Sequence, residues 1–311
     1  MNLLRAQVVA LAAAVVSFAV PTASARAEEA ALTRKLNAYI GCINRLSERS
    51  YDSRARYFSW VGKKGPTGKE RIIYGTYTIY DTADCRKNVE AANAVEPHEA
   101  GLESAASAYV AAVTALEPLL KEADDYYSQE NYKDDRMAKG KAMHPRLVDA
   151  WDAFAAADEK LRAGVEDVQD KLAGERLAEI EKTEGRKGRY HVEALMLRAK
   201  ALLRAHKASP PDLARVTAAL ADYERAVSET QAFADADKAS GVGSMYVNSA
   251  KSYLVTAKQL MRRMRDKVPY SKGEKMIMSS GGGAWMVEGS PARLSRDYNQ
   301  LVDSYHRGRR F

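Results

Sequence analysis

Apolar residues recur at intervals of three and four along most of the chain, and this spacing constrains the fold more than any other feature. The longest run follows Pro145 and passes through Leu147, Trp151, Phe154, Asp158, Leu161, Val165, Val168 and Leu172. A helix of 3.6 residues per turn places all of these positions on one face. The run therefore predicts a long helix, started by Pro145, that buries this face against other helices with coiled-coil-like packing.

Shorter runs with the same spacing predict further helices. They lie within residues 36–46, 102–116, 192–202, 213–227, 246–264 and 294–305. Ser290 before Pro291 is typical of a helix start, because serine caps free N–H groups and proline fits the first turn. We therefore predict an all-α fold, an antiparallel multi-helix bundle, with possible sub-bundles at about 28–183 and 189–311.

Two stretches lack helical spacing. Residues 57–80 place aromatic and β-branched residues around a Gly-Pro-Thr-Gly turn, which favours a short hairpin or an extended loop. Residues 268–291 include three successive glycines among apolar side chains. This composition favours a glycine-rich loop that folds back over a groove or acts as a mobile flap.

The first 27 residues have the pattern of a secretory signal peptide. Arg5 supplies positive charge, residues 8–20 are almost wholly apolar, and Ala25-Arg26-Ala27 matches the small-x-small pattern that signal peptidase cleaves. The apolar run is shorter than the roughly 20 residues that span a bilayer. We therefore predict cleavage after Ala27, a helical envelope domain over 28–311 without a transmembrane anchor, and a periplasmic or secreted location.

Cys42 and Cys85 are the two cysteines of the chain. An exported protein meets an oxidising environment, in which an even number of cysteines favours a disulfide. The alternative is a pair of buried thiols on separate helices. Neither cysteine lies near Ala27, so lipid attachment at a new N-terminal cysteine is not expected.

The charge of the chain is mild and mixed in sign. Removal of residues 1–27 takes away Arg5 and Arg26 and leaves 46 basic and 41 acidic residues, a net charge of +5. Such an excess suits anionic lipid or wall polymers, and export argues against a nucleic-acid partner.

Familiar catalytic and ligand motifs are missing or wrongly spaced. Five residues separate Gly62 from Gly68 where a phosphate loop has four, so this stretch is better explained as a tight turn. The five histidines show no HExxH spacing, and no GxSxG occurs. The sequence therefore predicts no cofactor, no metal and no catalytic residue. Enzymatic activity stays an alternative, because carboxylates brought together by a bundle leave no linear signature.

Residues 126–145, YYSQENYKDDRMAKGKAMHP, concentrate polar and aromatic side chains. A structural interpretation places a helix end and a turn here, followed by a short helix whose first turn holds Asp134 and Asp135 near its positive end, with His144 extended before Pro145. A functional interpretation makes the segment a ligand site, with tyrosines stacked on a sugar or peptide. Its candidate residues are Tyr126, Tyr127, Tyr132, Lys133, Asp134, Asp135 and His144. In a sharper form, Asp134, Asp135 and His144 serve an envelope-polymer hydrolase or a metal-binding protein.

Three segments together resemble the YiiG-like family of bacterial envelope proteins. They are residues 35–46, KLNAYIGCINRL; residues 56–75, RYFSWVGKKGPTGKERIIYG; and residues 126–145. The resemblance covers roughly residues 31–304, and the YYxxxxYKDD block followed by GKxxHP is its most specific mark. It implies an all-helical envelope protein with a domain of unknown function, and it brings no known activity, ligand or catalytic residue. Many members are lipoproteins, and because this chain lacks the required cysteine, a free soluble form is implied instead.

These observations together predict an exported helical protein that acts as a non-enzymatic binding or structural module of the cell envelope. Its partner would be an envelope protein, a wall component or a small ligand. A deep pocket lined by titratable groups would favour an enzyme, whereas a shallow apolar groove would favour binding.

Overall fold

The computed structural model describes residues 23–208, 210, 212–237, 239–280 and 282–308. Within these residues the chain forms nine α-helices and no β-strand, so the predicted all-α multi-helix fold is confirmed. The helices are α1 Ala23–Phe58, α2 Thr82–Asn93, α3 Ala100–Ser128, α4 Ala138–Glu184, α5 Gly188–Lys207, α6 Leu213–Ala236, α7 Ser244–Arg265, α8 Lys272–Ser279 and α9 Pro291–Gly308. None of the described helices combines the length and the hydropathy that a membrane-spanning segment needs. The predicted signal peptide lies mostly in residues 1–22, outside the described residues, and cleavage after Ala27 stays a prediction.

The chain divides into two compact units, and the division falls between Val168 and Gln169, inside α4. The N-terminal unit contains α1, α2, α3 and the first part of α4. The C-terminal unit contains the rest of α4 and the helices after it. The predicted boundary near 183–189 corresponds to the connection between α4 and α5, and the sub-bundles 28–183 and 189–311 stay a prediction.

The core of the N-terminal unit contains the apolar face predicted for the long helix. Seven of its positions are buried: Leu147, Trp151, Phe154, Asp158, Leu161, Val165 and Val168. Trp151 packs against Tyr57 of α1, with ring centroids 5.4 Å apart, and Phe154 packs against Tyr109 of α3 at 6.0 Å. The spacing of three and four therefore identified the buried face of α4 correctly.

Asp158 is the charged member of that face and is 2% exposed. Ser47 Oγ of α1 donates to its Oδ1 atom at 2.6 Å, and Tyr51 Oη and Arg162 Nε donate to its Oδ2 atom at 3.1 and 2.8 Å. A buried carboxylate is tolerated where donors satisfy both oxygens. Asp158 therefore joins α1 to α4 by polar contacts at a position where an apolar residue is usual.

The sulfur atoms of Cys42 on α1 and Cys85 on α2 lie 2.18 Å apart, at disulfide distance, in agreement with the predicted pairing. The sequence did not predict α2 itself. Its twelve residues bury only Thr82, Cys85 and Val89. Three buried positions form too short a pattern to distinguish a helix from a loop in the sequence.

The connection between α1 and α2 is an irregular loop over residues 59–81 rather than a hairpin of strands. An isolated bridge pairs Gly62 with Gly65. The Glu70 carboxylate accepts hydrogen bonds from the N–H groups of Thr67 and Gly68, at 2.5 and 2.8 Å. Gly68 has a φ of 83°, a conformation that glycine adopts at little cost, and this completes the turn.

The prediction of a glycine-rich loop over 268–291 is wrong for residues 272–279, which form α8. Ser271 Oγ accepts from the N–H of Glu274 at 3.2 Å, and Glu274 Oε2 accepts from the N–H of Ser271 at 2.7 Å. This capping box satisfies two N–H groups at the helix start and fixes a helix of only eight residues. A 3₁₀ turn at Ala284–Met286 follows.

In the C-terminal unit, α5 packs against α6 and α9, and α7 packs against α6 and α9. Three buried tyrosines donate their hydroxyl protons to backbone carbonyl oxygens of neighbouring helices. These bonds are Tyr223 to Ala250 at 3.0 Å, Tyr246 to Val192 at 3.1 Å and Tyr253 to Ala199 at 3.2 Å. Because the polar end of each ring is satisfied, large aromatic rings can fill this core.

Candidate functional site

Residues 126–145 join α3 to α4 in the N-terminal unit. After α3 ends, a 3₁₀ turn at Asn131–Lys133 leads into α4, which already begins at Ala138. The predicted separate short helix, and the predicted helix start at Pro145, are therefore wrong. Pro145 lies inside α4 and His144 is helical, not extended. A proline within a helix removes one backbone hydrogen bond, so the contacts around this joint must offset that loss.

Asp135 connects the end of α3 to the start of α4 by hydrogen bonds. Its Oδ1 atom accepts from the N–H of Ala138 at 3.2 Å, and its Oδ2 atom accepts from the N–H of Lys139 at 2.9 Å. The Tyr126 hydroxyl donates to Oδ1 at 2.7 Å. The Lys139 N–H bond is the main influence that lowers the pKa of Asp135, and the Tyr126 hydroxyl lowers it further. Asp135 thus supplies the free N–H groups at the start of α4 with an acceptor.

Tyr126 and Tyr127 belong to the core, with 3% and 4% of their surface exposed. Their rings meet edge to face at 5.0 Å, and Tyr127 also meets Trp60 of the 59–81 loop edge to face at 5.1 Å. With both rings this buried, stacking of a sugar or peptide on them gains no support from the fold and stays a prediction. Tyr132 is half-buried, and Lys133 and Asp134 are exposed. Ligand binding by these three residues stays a prediction.

His144 lies against the end of α1 and the 59–81 loop, not beside the start of α4 where Asp135 binds. Its Nδ1 atom lies 3.0 Å from the Tyr57 hydroxyl, at hydrogen-bond distance, and the two rings stack with centroids 5.8 Å apart. Gly65 approaches so closely that a Cβ atom there would lie 3.0 Å from the His144 ring. Among the described residues, no group of three or more His, Cys, Asp and Glu side chains is placed to hold a metal ion. Asp134, Asp135 and His144 therefore do not form such a group.

A groove with an apolar lining lies between α2 and α3. Its volume is about 430 Å³. The lining residues are Val89, Val110, Ala111, Thr114 and Ala115, with Arg86, Glu90 and Ser107 contributing polar groups. Arg86 Nη2 of α2 donates to Thr114 Oγ1 of α3 at 3.2 Å and so connects the two walls. Sequence reasoning missed this groove because α2 was not recognised, although small residues at 107, 111 and 115 repeat every four positions along α3.

A second pocket of about 430 Å³ lies beside α1 and is lined by Asp52, Arg56, Ser59, Tyr74 and Tyr77. Arg56 Nε donates to the Tyr74 carbonyl oxygen at 2.8 Å, and its Nη1 atom donates to the Tyr77 hydroxyl at 3.0 Å. The same guanidinium lies 4.5 Å from the centre of the Tyr77 ring. The cationic and aromatic groups of this pocket are thus already paired with one another, which leaves it a weaker candidate than the apolar groove.

Comparisons with known proteins agree with the resemblance seen in the sequence. The family model described as "Protein of unknown function (DUF3829)" matches residues 30–307. The "Uncharacterized protein YiiG" of Escherichia coli (strain K12) is 36% identical over 283 residues, which cover 90% of this chain and 80% of that protein. No solved structure gives a significant match. These matches extend across both units and carry no activity with them.

Proposed function

The chain belongs to the DUF3829 family of proteins of unknown function, and we propose that it is a non-enzymatic binding module of the cell envelope. Its ligand site is the groove between α2 and α3, and its ligand is a small amphiphile with an apolar body and an acidic head group. The observation that carries this proposal is the apolar lining of the groove, whose charged side chains are the guanidinium of Arg86 and the carboxylate of Glu90.

The size and lining of the groove suit the apolar body. Ligand sites commonly measure about 300–1,000 Å³ and are lined mostly by apolar side chains with a few polar groups, and this groove has about 430 Å³. Removal of apolar surface from water contributes about 25 cal/mol per Å². An aliphatic or aromatic body is therefore the part of a ligand that this lining favours.

Arg86 suits the acidic head group. A guanidinium carries five N–H donors and forms strong paired hydrogen bonds with carboxylates and phosphates. The bond to Thr114 Oγ1 ties the Arg86 guanidinium to the α3 wall and leaves its other N–H donors for a ligand. The neighbouring residue, Cys85, is joined to Cys42 of α1. This link holds the α2 wall in place and reduces the entropy that ligand binding would otherwise cost.

The envelope location rests on the predicted signal peptide and on the disulfide-distance pair Cys42 and Cys85, because disulfides persist in oxidising compartments. The alternative of a hydrolase or metal-binding protein using Asp134, Asp135 and His144 gains no support from their contacts. Asp135 accepts the N–H groups of α4, and His144 contacts Tyr57.

Calorimetric titration with dodecanoate tests the groove. We expect one molecule to bind, and we expect Ala111→Trp, which fills the groove, to weaken binding at least tenfold. Ala108→Trp is the matched control, because Ala108 is also exposed on α3 but does not line the groove. Arg86→Gln should weaken binding more than Lys87→Gln, which changes an exposed basic residue outside the lining. Absence of binding heat, or an equal loss in both members of either pair, would contradict the proposed site.

A further inference from the structure

The C-terminal unit carries a cluster of exposed apolar side chains around α8. The members of this α8 patch are Met276, Ile277, Trp285 and Met286. Met276 is 70% exposed, Met286 is 55% exposed and Trp285 is 39% exposed. α8 contacts the 3₁₀ turn that holds Trp285 and Met286, so these side chains lie on neighbouring elements. Large apolar side chains grouped in this way on a surface mark an interaction site.

The patch is presented on a fixed support. Arg263 Nη2 of α7 donates to Glu274 Oε1 of α8 at 2.8 Å and to the Glu288 carbonyl oxygen at 3.2 Å. The Tyr270 hydroxyl donates to the Gly289 carbonyl oxygen at 2.9 Å. Val287, which follows the exposed Trp285 and Met286, is buried. The exposed side chains thus project from a segment whose two ends are tied to the helical bundle.

Basic residues surround the patch in the sequence. Residues 262–296 contain eight arginines and lysines and three acidic residues, a net charge of +5. Two of the three acids are paired with arginines, Glu274 with Arg263 and Asp266 with Arg265. Lys272 lies four residues before Met276 on α8, and positions four apart share one face of a helix. The guanidinium of Arg296 lies 3.8 Å from the centre of the Trp285 ring.

From this combination we infer that the α8 patch is a docking surface for an anionic phospholipid membrane. Exposed apolar side chains would enter the boundary between head groups and acyl chains, where tryptophan is favoured. Lysine and arginine side chains would contact the lipid phosphates. A second copy of the chain is a poorer partner, because two such patches would bring like charges together. The α8 patch shares no residue with the groove between α2 and α3, so the inference does not depend on the proposed ligand site.

Vesicle sedimentation of the protein purified from its own host tests the inference. The vesicles contain either 30% phosphatidylglycerol in phosphatidylcholine or phosphatidylcholine alone. We expect binding to the anionic vesicles, weakened by added salt, and a blue shift of Trp285 fluorescence that Trp285→Phe removes. Lys272→Gln combined with Lys275→Gln should weaken binding about 30-fold, which corresponds to roughly 1 kcal/mol per lysine.

Met276→Ser tests the apolar contribution against a matched control, Met245→Ser. Met245 is 64% exposed in the same unit but lies at the start of α7, away from the patch in sequence. We expect Met276→Ser to weaken vesicle binding severalfold and Met245→Ser to leave it unchanged, with circular dichroism showing both variants folded. Equal binding to neutral vesicles, equal effects of the two substitutions, or self-association lost in Met276→Ser without any vesicle binding would overturn the inference.

Discussion

The Tyr126 hydroxyl of α3 donates a hydrogen bond to Asp135 Oδ1 at 2.7 Å. The same carboxylate accepts the N–H groups of Ala138 and Lys139 at the start of α4. One side chain thus ties the end of one long helix to the beginning of the next. Its neighbour Asp134 is exposed, so the two adjacent aspartates differ in what they contribute to the fold.

Asp135→Ala should lower the urea midpoint of unfolding at pH 7, because it leaves the buried Tyr126 hydroxyl and two helix N–H groups without this acceptor. Asp134→Ala is the control and should behave as an ordinary surface substitution. The pKa of Asp135 is lowered in the folded protein. Its contribution is therefore present above the usual carboxyl pKa of about 3.9 and is lost as the pH falls through the lowered value. A difference between wild type and Asp135→Ala that persists undiminished at pH 2 would contradict this account.

Gly140→Ala should destabilise the protein, although alanine is normally the better helix residue. A Cβ atom at Gly140 would lie 2.6 Å from Met137 Sδ and 3.0 Å from the Tyr127 hydroxyl oxygen. Met137 and Tyr127 are both buried and have little room to move. Overpacking costs about 1–3 kcal/mol, which exceeds the roughly 0.5–1 kcal/mol gained from alanine in a helix.

Gly174→Ala in the same helix provides the comparison. A Cβ atom there would meet nothing within 4 Å, so we expect stabilisation by about 0.5–1 kcal/mol. Urea unfolding of both variants measures the two effects with opposite signs. Stabilisation by both alanines would show that the contacts around Gly140 are looser than described.

Removal of the link between Cys42 and Cys85 should lower the free energy of unfolding by about 4 kcal/mol, the chain-entropy value for a loop of this length. The two cysteines are 43 positions apart. Guanidinium unfolding of Cys42→Ser combined with Cys85→Ser, compared with the oxidised wild type, measures the loss. Mass spectrometry that finds two free thiols in the native protein would remove the basis of this prediction.

The protein should lose stability as the pH rises above 10. Burial raises the pKa of Tyr57 to about 12, and burial together with the hydrogen bond to Asp135 raises the pKa of Tyr126 to about 12. Tyrosines in the unfolded chain ionise near pH 10. The folded state therefore retains protons that the unfolded state has lost, and its advantage declines between about pH 10 and pH 12. Absorbance at 295 nm should show the buried tyrosines ionising only as the protein unfolds. Ionisation of all tyrosines with a midpoint near pH 10 while the protein stays folded would contradict this.

The helices that could be predicted from the sequence are those with many buried positions. α4 has a long apolar face with regular spacing, and even Asp158 fell on that face in the prediction because spacing, not residue type, marks the position. α2 and α8 were missed because α2 buries few residues and α8 buries none. Short helices of this kind depend on caps and on tertiary contacts such as the one between Cys42 and Cys85.

The joint at 126–145 and the groove between α2 and α3 were harder to predict, because both depend on contacts between residues far apart in the sequence. The sequence identified residues 126–145 as a helix joint, but Pro145 gave a misleading local signal for the start of α4. Trp60, which packs against Tyr127, lies far away in the sequence and in a loop without regular spacing. The groove depends on α2, so it could not be recognised before that helix was.

Native mass spectrometry of the protein purified from its own host, beside Ala111→Trp and Ala108→Trp purified in the same way, tests the central claim most directly. The account predicts that wild type and Ala108→Trp retain a small amphiphile at one molecule per chain and that Ala111→Trp does not. A ligand retained equally by Ala111→Trp, or no ligand on any of the three together with no binding of added dodecanoate, would contradict a ligand site between α2 and α3.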